Sequence, residues 1–312
     1  MAGFSLETEN LTKKFGAVTA LDGVSLRVNE GEVFGYIGPN GSGKTTTIRV
    51  LLGILRATGG EARVFGMDAW SDAVAIHRRI AYVPGDVSLW PNLTGGEVID
   101  LFVSLAAAKD LAAAKSLASA KSLRDKHAKE RREKLLRMFD LDPSKKCRTY
   151  SKGNRQKVAL VAAFASDADL YILDEPTSGL DPLMEQVFQQ CLREQKSAGK
   201  SIFLSSHILS EVERLCDRVG IIREGKLVET GTLSELRHLT RVSVTVITDK
   251  PVENLNAVKG VHNIEQRQDG LTFQVDAGEI GPVVSYIAPY GIKKLESAPP
   301  TLEDLFMRHY SG

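Results

Sequence analysis

Val33-Phe34-Gly35-Tyr36-Ile37-Gly38-Pro39-Asn40-Gly41-Ser42-Gly43-Lys44-Thr45-Thr46 passes from an apolar run through a glycine-rich turn into residues of helical character. Val33–Ile37 suits a buried strand, and a helix is expected from Thr46 to Leu55. Between them, Gly38, Pro39, Asn40, Gly41, Ser42, Gly43, Lys44 and Thr45 fit the phosphate-loop pattern. The glycines let the backbone wrap closely, so that successive N–H groups point inward at phosphate oxygens. The helix that follows adds the partial positive charge of its N-terminus. Lys44 is expected to reach the β- and γ-phosphates, and Thr45 to offer its hydroxyl to Mg²⁺, with Thr46 beside them. Strand, phosphate loop and helix in this order predict an α/β fold of the P-loop NTPase type.

Working outward, Leu170–Leu173 and Ser201–Ser205 read as further buried strands, with Val187–Gln195 as a helix between them. Gly59-Gly60 breaks the first helical pattern. Strands alternating with helices predict a mostly parallel sheet covered on both faces. Leu6–Leu11 and Ser25–Val28 alternate more strictly and predict an antiparallel flank. Residues 87–150 are helical in character and are expected to form a helical subdomain of a nucleotide-binding domain placed at 1–238. Within them, residues 106–123 repeat Ala-Ala-Ala-Lys-Asp-Leu-like hexads. A period of six turns each successive Leu by about 240°, so Leu105, Leu111, Leu117 and Leu123 make no single stripe. The hexads fit either a spacer rod or a neutral surface expansion.

Residues 239–312 change pattern. Val242–Thr248 alternates as a strand, Val252–Val258 suits a helix, and Asn263–Gln268 and Thr272–Val275 flank the hairpin signal Asp269-Gly270. Ile280–Ala288 reads as a helix and Ile292–Glu296 as a strand. The β-α-β-β-α-β order predicts a small α+β, ferredoxin-like module. Pro299-Pro300 then precedes a short helix expected over Leu302–Tyr310.

Composition narrows the function classes. Of 312 residues, 43% are hydrophobic and 25% charged, as in ordinary folded domains, and the net charge of +1 lacks a nucleic-acid binder's basic footprint. No nucleic acid is therefore expected as partner. Cys147, Cys191 and Cys216 match neither a disulfide framework nor a metal-ligand spacing, and are expected as reduced thiols. The first residues lack a signal-peptide pattern, and no apolar run reaches the roughly 18–20 residues that cross a bilayer. Work at a membrane would go through a partner.

Asp174 and Glu175 supply the chemistry that a phosphate loop lacks. At the end of a buried strand, Asp174 is expected to hold Mg²⁺ through water, and Glu175 to orient or deprotonate the attacking water. His207 follows the next strand, at the strand ends where open α/β folds bind ligands, and could contact the γ-phosphate and sense its loss, the alternative being a structural histidine. The turn Ser178-Gly179-Leu180-Asp181-Pro182 could carry information between sites, or simply turn the chain.

Together with Tyr150-Ser151-Lys152-Gly153-Asn154-Arg155-Gln156, these residues resemble the nucleotide-binding subunits of ABC transporters over about Leu6–Leu236. The resemblance implies ATP and Mg²⁺ as ligands, and a homodimer or a paired ABC subunit. It implies contact of Ser151, Gly153 and Asn154 with the γ-phosphate held by the opposing subunit, and a nucleotide role for Asp181. It also implies an adenine-stacking ring at Phe15, which could equally be a core aromatic. Two departures stand out. Lys152-Gly153-Asn154 replaces the usual Gly-Gly-Gln, and Gly85-Asp86 follows Tyr82-Val83-Pro84 where the family has Gln. Asp86 is expected to substitute as a Mg²⁺ ligand through water, the alternative being that this ligation is lost.

These variants, with Pro300-Thr301-Leu302-Glu303-Asp304-Leu305-Phe306, resemble ATPase subunits of bacterial drug and antibiotic exporters that pair with a separate ABC-2-type permease. The same resemblance puts the permease's coupling element against Val87–Pro91, with Trp90 an anchor or packing filler, and the subunit at the cytoplasmic face of the membrane. A soluble ABC-type ATPase acting on ribosomes or DNA is the alternative. It usually carries tandem ATPase domains, a coiled coil or a basic extension, and none is read here. A non-hydrolytic ATP-binding regulator would lack the carboxylate that Glu175 supplies.

Overall fold

Two twelve-residue strands, β1 (Phe4–Phe15) and β2 (Val18–Asn29), pair antiparallel across a tight turn. A computed structural model describes residues 3–107, 118–238, 241–267 and 270–298. They divide between two compact units, Met1–Thr230 and Gly231–Gly312.

In the first unit, β3 (Val33–Ile37) leads through the glycine-rich turn into α1 (Lys44–Leu51). The chain continues through β4 (Gly59–Val64), β5 (Met67–Asp68), α2 (Ala73–His77) and β6 (Ile80–Val83). Helices α3 (Gly95–Ala107), α4 (Ala118–Met138) and α5 (Lys152–Ala165) follow. The unit then returns to β7 (Leu170–Asp174), α6 (Pro182–Ser197), β8 (Ser201–Ser206), α7 (Leu209–Leu215), β9 (Arg218–Arg223) and β10 (Lys226–Thr232). One sheet has the order β10-β9-β3-β8-β7-β6, and its β3, β6, β7, β8 and β9 run parallel wherever they pair. A second sheet, β2-β1-β4-β5, is antiparallel.

Strands β3, β7 and β8 are buried along their whole length, as near-continuous apolar runs in a covered parallel sheet should be. Phe203 stacks on Phe34 with ring centroids 5.9 Å apart and tilts against Tyr36 at 5.3 Å. Each such buried ring contributes about 1.5–3 kcal/mol. Leu21, Val24 and Leu26 of β2 join Ile48 and Leu51 of α1 in the same core, so the antiparallel flank and the parallel sheet grip α1 between them. That grip fixes the helix whose first turn closes the phosphate loop. Helix α3 begins at a reciprocal cap, in which Glu97 N donates to Thr94 Oγ1 (3.1 Å) and Thr94 N donates to Glu97 Oε2 (2.6 Å).

The second unit holds α8 (Leu233–His238), β11 (Val242–Thr248), β12 (Val261–Arg267), β13 (Gly270–Val275), α9 (Ile280–Ile287) and β14 (Ile292–Ala298). Its sheet order is β12-β13-β11-β14, antiparallel at every junction, around a core that includes Val244, Val246, Phe273 and Ile287. This is the strand order of the ferredoxin-like arrangement, with one correction. The helix expected at Val252–Val258 is a single 3₁₀ turn, Leu255–Ala257. Asn254 enters it at φ 52°, a left-handed conformation that helices do not propagate, and Leu255 is its buried residue.

Two smaller expectations change as well. Helix α1 starts at Lys44 rather than Thr46, and Gly59-Gly60 begins a strand rather than a break. The hexads at 108–117, Asp269 of the hairpin signal, Pro299-Pro300 and the helix expected at Leu302–Tyr310 lie outside the described residues.

Candidate nucleotide site

Lys44 opens α1 with its side chain folded back over the loop. Its Nζ donates to the carbonyls of Gly38 (2.7 Å) and Pro39 (3.1 Å) and lies 3.7 Å from Glu175 Oε1. The residue is buried, and burial lowers its pKa against the opposing pull of Glu175 and Asp174. Gly43 caps the helix at φ 112°, where an added Cβ would meet Leu21 Cδ2 at 2.8 Å and the Ala20 carbonyl at 2.9 Å. Only glycine lets loop and flank approach so closely. Ser42 Oγ is buried with no hydrogen-bond partner.

Thr45 and Asp174 meet at the C-terminal ends of the strands, with Thr45 Oγ1 donating to Asp174 Oδ2 at 3.0 Å. Ser205 on β8 donates from its hydroxyl to the other carboxylate oxygen, Oδ1. The Asp174 carboxylate is buried, so these two hydroxyls set its plane. Tyr82 on β6 has its pKa pushed up to about 12, by burial first and by the Asp174 charge second.

Glu175 follows with φ 46°, a left-handed backbone that costs a non-glycine residue about 1–2 kcal/mol. Its N–H donates to Ser205, to the carbonyl at 3.1 Å and the hydroxyl at 3.2 Å, and this holds the strained turn. The turn aims the carboxylate at Lys44 on one side and His207 on the other, with His207 Nδ1 3.3 Å from Glu175 Oε1. Gly85 lies on the same side of the strand, and a Cβ there would sit 3.3 Å from the Asp174 carbonyl and 3.8 Å from Glu175 Cβ. The neighbouring Asp86 is exposed, and no hydrogen bond or ion pair joins it to Thr45 or Asp174 among the described residues.

The fold thus brings Lys44, Thr45, Asp174, Glu175 and His207 together. Phe15 ends β1 paired with Val18, half-exposed at the rim of the hairpin whose β2 touches Gly43, with Lys13 Nζ 5.0 Å above its ring. Ser151, Gly153 and Asn154 lie elsewhere. Ser151 caps α5 by accepting from Asn154 N (3.2 Å), and Gly153 packs so closely that a Cβ would collide with the Gly179 carbonyl. Among the described residues no hydrogen bond or ion pair ties these three to the phosphate loop of their own chain. Asp181 caps α6 by accepting from Met184 N at 3.0 Å, ahead of Pro182 in the first turn.

The groups present fit a nucleotide and a hard cation. An orphaned buried hydroxyl, a folded-back ammonium and a left-handed glycine form a cradle for phosphate oxygens. A hydroxyl and a carboxylate 3.0 Å apart are oxygen donors of the kind Mg²⁺ takes, together with its own waters. Among the described residues no cluster of three His, Cys, Asp or Glu could hold a metal by itself. Ser205, which orients Asp174 and Glu175 together, was passed over in the sequence as one polar residue of a strand. Its signal was the pair Ser205-Ser206 inside a buried run.

The family described as ABC transporter matches residues 21–178, and the C-terminal domain family of ATP-binding proteins like DrrA1-3 matches residues 231–310. The bacitracin transport ATP-binding protein BcrA of Bacillus licheniformis is 32% identical over 316 residues, covering 98% of this chain and 97% of that protein. The daunorubicin/doxorubicin resistance ATP-binding protein DrrA of Streptomyces peucetius is 35% identical, over 75% of this chain and 67% of that protein. A solved ATP-binding subunit of an ABC transporter shares 33% identity with a TM-score of 0.66, covering 75% of this chain and 92% of its own.

Proposed function

The chain belongs to the ABC transporter family as an ATP-binding, ATP-hydrolysing subunit, and we propose that it powers export of drugs, antibiotics or other amphipathic compounds through a separate membrane permease. In this reading two copies, or this chain and a second subunit of its kind, close around two ATP molecules. Each phosphate loop faces the partner's Ser151, Gly153 and Asn154. What supports the closure is an incompleteness: Ser151 is exposed and Gly153 half-buried at the start of α5, Gly153 packs on Gly179 and the intervening Lys152 bonds Ser178, and among the described residues none of them bonds to its own phosphate loop. A two-fold assembly lets one patch complete both sites.

Within each site, Lys44 and the loop N–H groups hold the phosphates, and Phe15 stacks on the base. Mg²⁺, held by Thr45, Asp174 and water, would neutralise charge developing on the β- and γ-oxygens. Glu175 orients the attacking water and accepts its proton. His207 contacts the γ-phosphate and, through Glu175, registers its loss. Hydrolysis lets the pair reopen, and the permease feels this as a shift between two states. Among the described residues no helix is long and apolar enough to cross a membrane. In this reading the permease carries the membrane path, and this subunit sits at its cytoplasmic face. The exposed Trp90, ring centroid 6.2 Å from Phe102, offers that protein an apolar anchor.

Export is tested by expressing the chain with its permease in a drug-sensitive host. Resistance to bacitracin-like or anthracycline-like compounds is expected, and Glu175→Gln should abolish it. Resistance that survives Glu175→Gln would contradict export powered by this subunit.

A further inference from the structure

Glu211 is a carboxyl buried in the short helix α7, where no ion pair reaches it among the described residues. Its Oε2 accepts from two hydroxyls, Ser206 Oγ at 3.0 Å and Thr177 Oγ1 at 3.3 Å, while its Oε1 has no hydrogen-bond partner. Burying a carboxyl against hydroxyls alone is costly where a leucine would fill the space more cheaply. The placement of the two hydroxyls gives a reason for it. Ser206 immediately precedes His207, and its Oγ also accepts from Ile208 N at 3.0 Å, so it brackets the histidine from both sides. Thr177 stands two residues after Glu175, in the turn that continues to Asp181.

That turn is held from the opposite side by α5. Gln156 Nε2 donates to the Pro176 carbonyl at 2.9 Å, and Lys152 Nζ donates to Ser178 Oγ at 3.0 Å. One carboxylate oxygen therefore ties the backbone around His207 to the turn that the Ser151 patch leans on.

We propose that Glu211 is a positioning residue for ATP hydrolysis, holding His207 and the Thr177 turn in one register so that the γ-phosphate contact and the cross-subunit patch move together. The inference rests on the roles given above to Glu175, His207 and Ser151. Glu211 touches no nucleotide; it acts through two hydroxyls whose single protons it fixes. Burial raises its pKa, against the lowering effect of the Ser206 and Thr177 hydrogen bonds; the charges of Glu185 and Arg214 act in opposite senses and more weakly, and among the described residues no cation forms an ion pair with it.

The test is steady-state ATPase kinetics of the full chain with Mg²⁺ and ATP for Glu211→Leu, Glu211→Gln and Thr177→Val. Glu211→Leu should lower kcat at least about tenfold, because misplacement of a catalytic group is that costly. KM for ATP should stay within about twofold, since no ground-state contact is removed. Glu211→Gln keeps the accepting oxygen and should recover most of kcat. Thr177→Val should lower kcat by itself and add little on top of Glu211→Leu. If the leucine variant does not fold, Thr177→Val carries the same expectation. Unchanged kcat in Glu211→Leu or Thr177→Val, or no recovery in Glu211→Gln, overturns the positioning role while the wild type still turns over. Full activity in Glu175→Gln would instead overturn the reading beneath it.

Discussion

Thr45 and Asp174, 129 residues apart in sequence, meet through a 3.0 Å hydrogen bond at the C-terminal end of the parallel sheet. Neighbouring strands impose the meeting. β3 and β7 each pair in parallel with β8, so their C-terminal ends come level on either side of Ser205. The phosphate loop leaves one end and the acid pair leaves the other.

Removing the Asp174 charge should therefore be felt as a metal defect. Asp174→Asn is expected to lower turnover on the order of 10²-fold, the scale for one group aimed at developing charge. Excess Mg²⁺ should restore part of it, as read in a Mg²⁺ titration of ATPase activity. A wild-type Mg²⁺ profile in this variant would remove Asp174 from the cation site.

Asp86 offers a contrast, because it is exposed and two positions beyond Pro84. If it replaces the missing Gln as a water-mediated ligand, Asp86→Ala should raise the Mg²⁺ concentration needed for half-maximal activity about tenfold, the lower range for a group that supports a metal at second remove. An unchanged requirement would mean that this position has lost its ligand.

Phe203 tests the core beneath the site. It is fully buried between Phe34 and Tyr36, and Phe203→Ala should cost about 3–5 kcal/mol of stability. Denaturant unfolding would reveal it as an early midpoint, and a loss under about 1 kcal/mol would mean the strands repack around the gap.

Glu211 gives stability a pH dependence of known sign. Its folded pKa is raised above the ordinary 4.5, so between the two values the folded chain holds more protons than the unfolded one. Stability at this residue is then greatest below pH 4.5 and declines as pH rises towards the folded value. Glu211→Gln cannot titrate, so its Tm should gain on the wild type as pH climbs through that window. Parallel Tm profiles would contradict the buried, proton-retaining carboxyl.

The parallel sheet was legible where the chain is apolar without interruption, at Val33–Ile37, Leu170–Leu173 and Ser201–Ser205, because burial on both faces leaves no alternation to confuse. Strands β9 and β10 were not read. One has arginines at both ends and a central Gly220, and the other alternates exposed Lys226, Val228 and Thr230 with half-buried Leu227 and Glu229. Gly59-Gly60 misled for a related reason: Gly60 presses against the Asn10 carbonyl at φ 72°, so a residue read as a breaker is the contact that lets β4 join β1. In the site, Lys44, Thr45, Asp174 and Glu175 follow from local spacing, whereas Ser205 and Glu211 act through folded neighbours. A glutamate four positions past His207 carries no signal until Thr177 and Ser206 are seen to share its oxygen.

ATP held between two subunits would make the mass of the protein in solution depend on nucleotide. Sedimentation of Glu175→Gln with ATP and Mg²⁺ should show a dimer that dissociates when nucleotide is removed. Ser151→Arg, placed in the same background, should bind ATP yet remain monomeric. A Glu175→Gln chain that stays monomeric at saturating ATP, or a Ser151→Arg chain that still dimerises, would contradict the shared site.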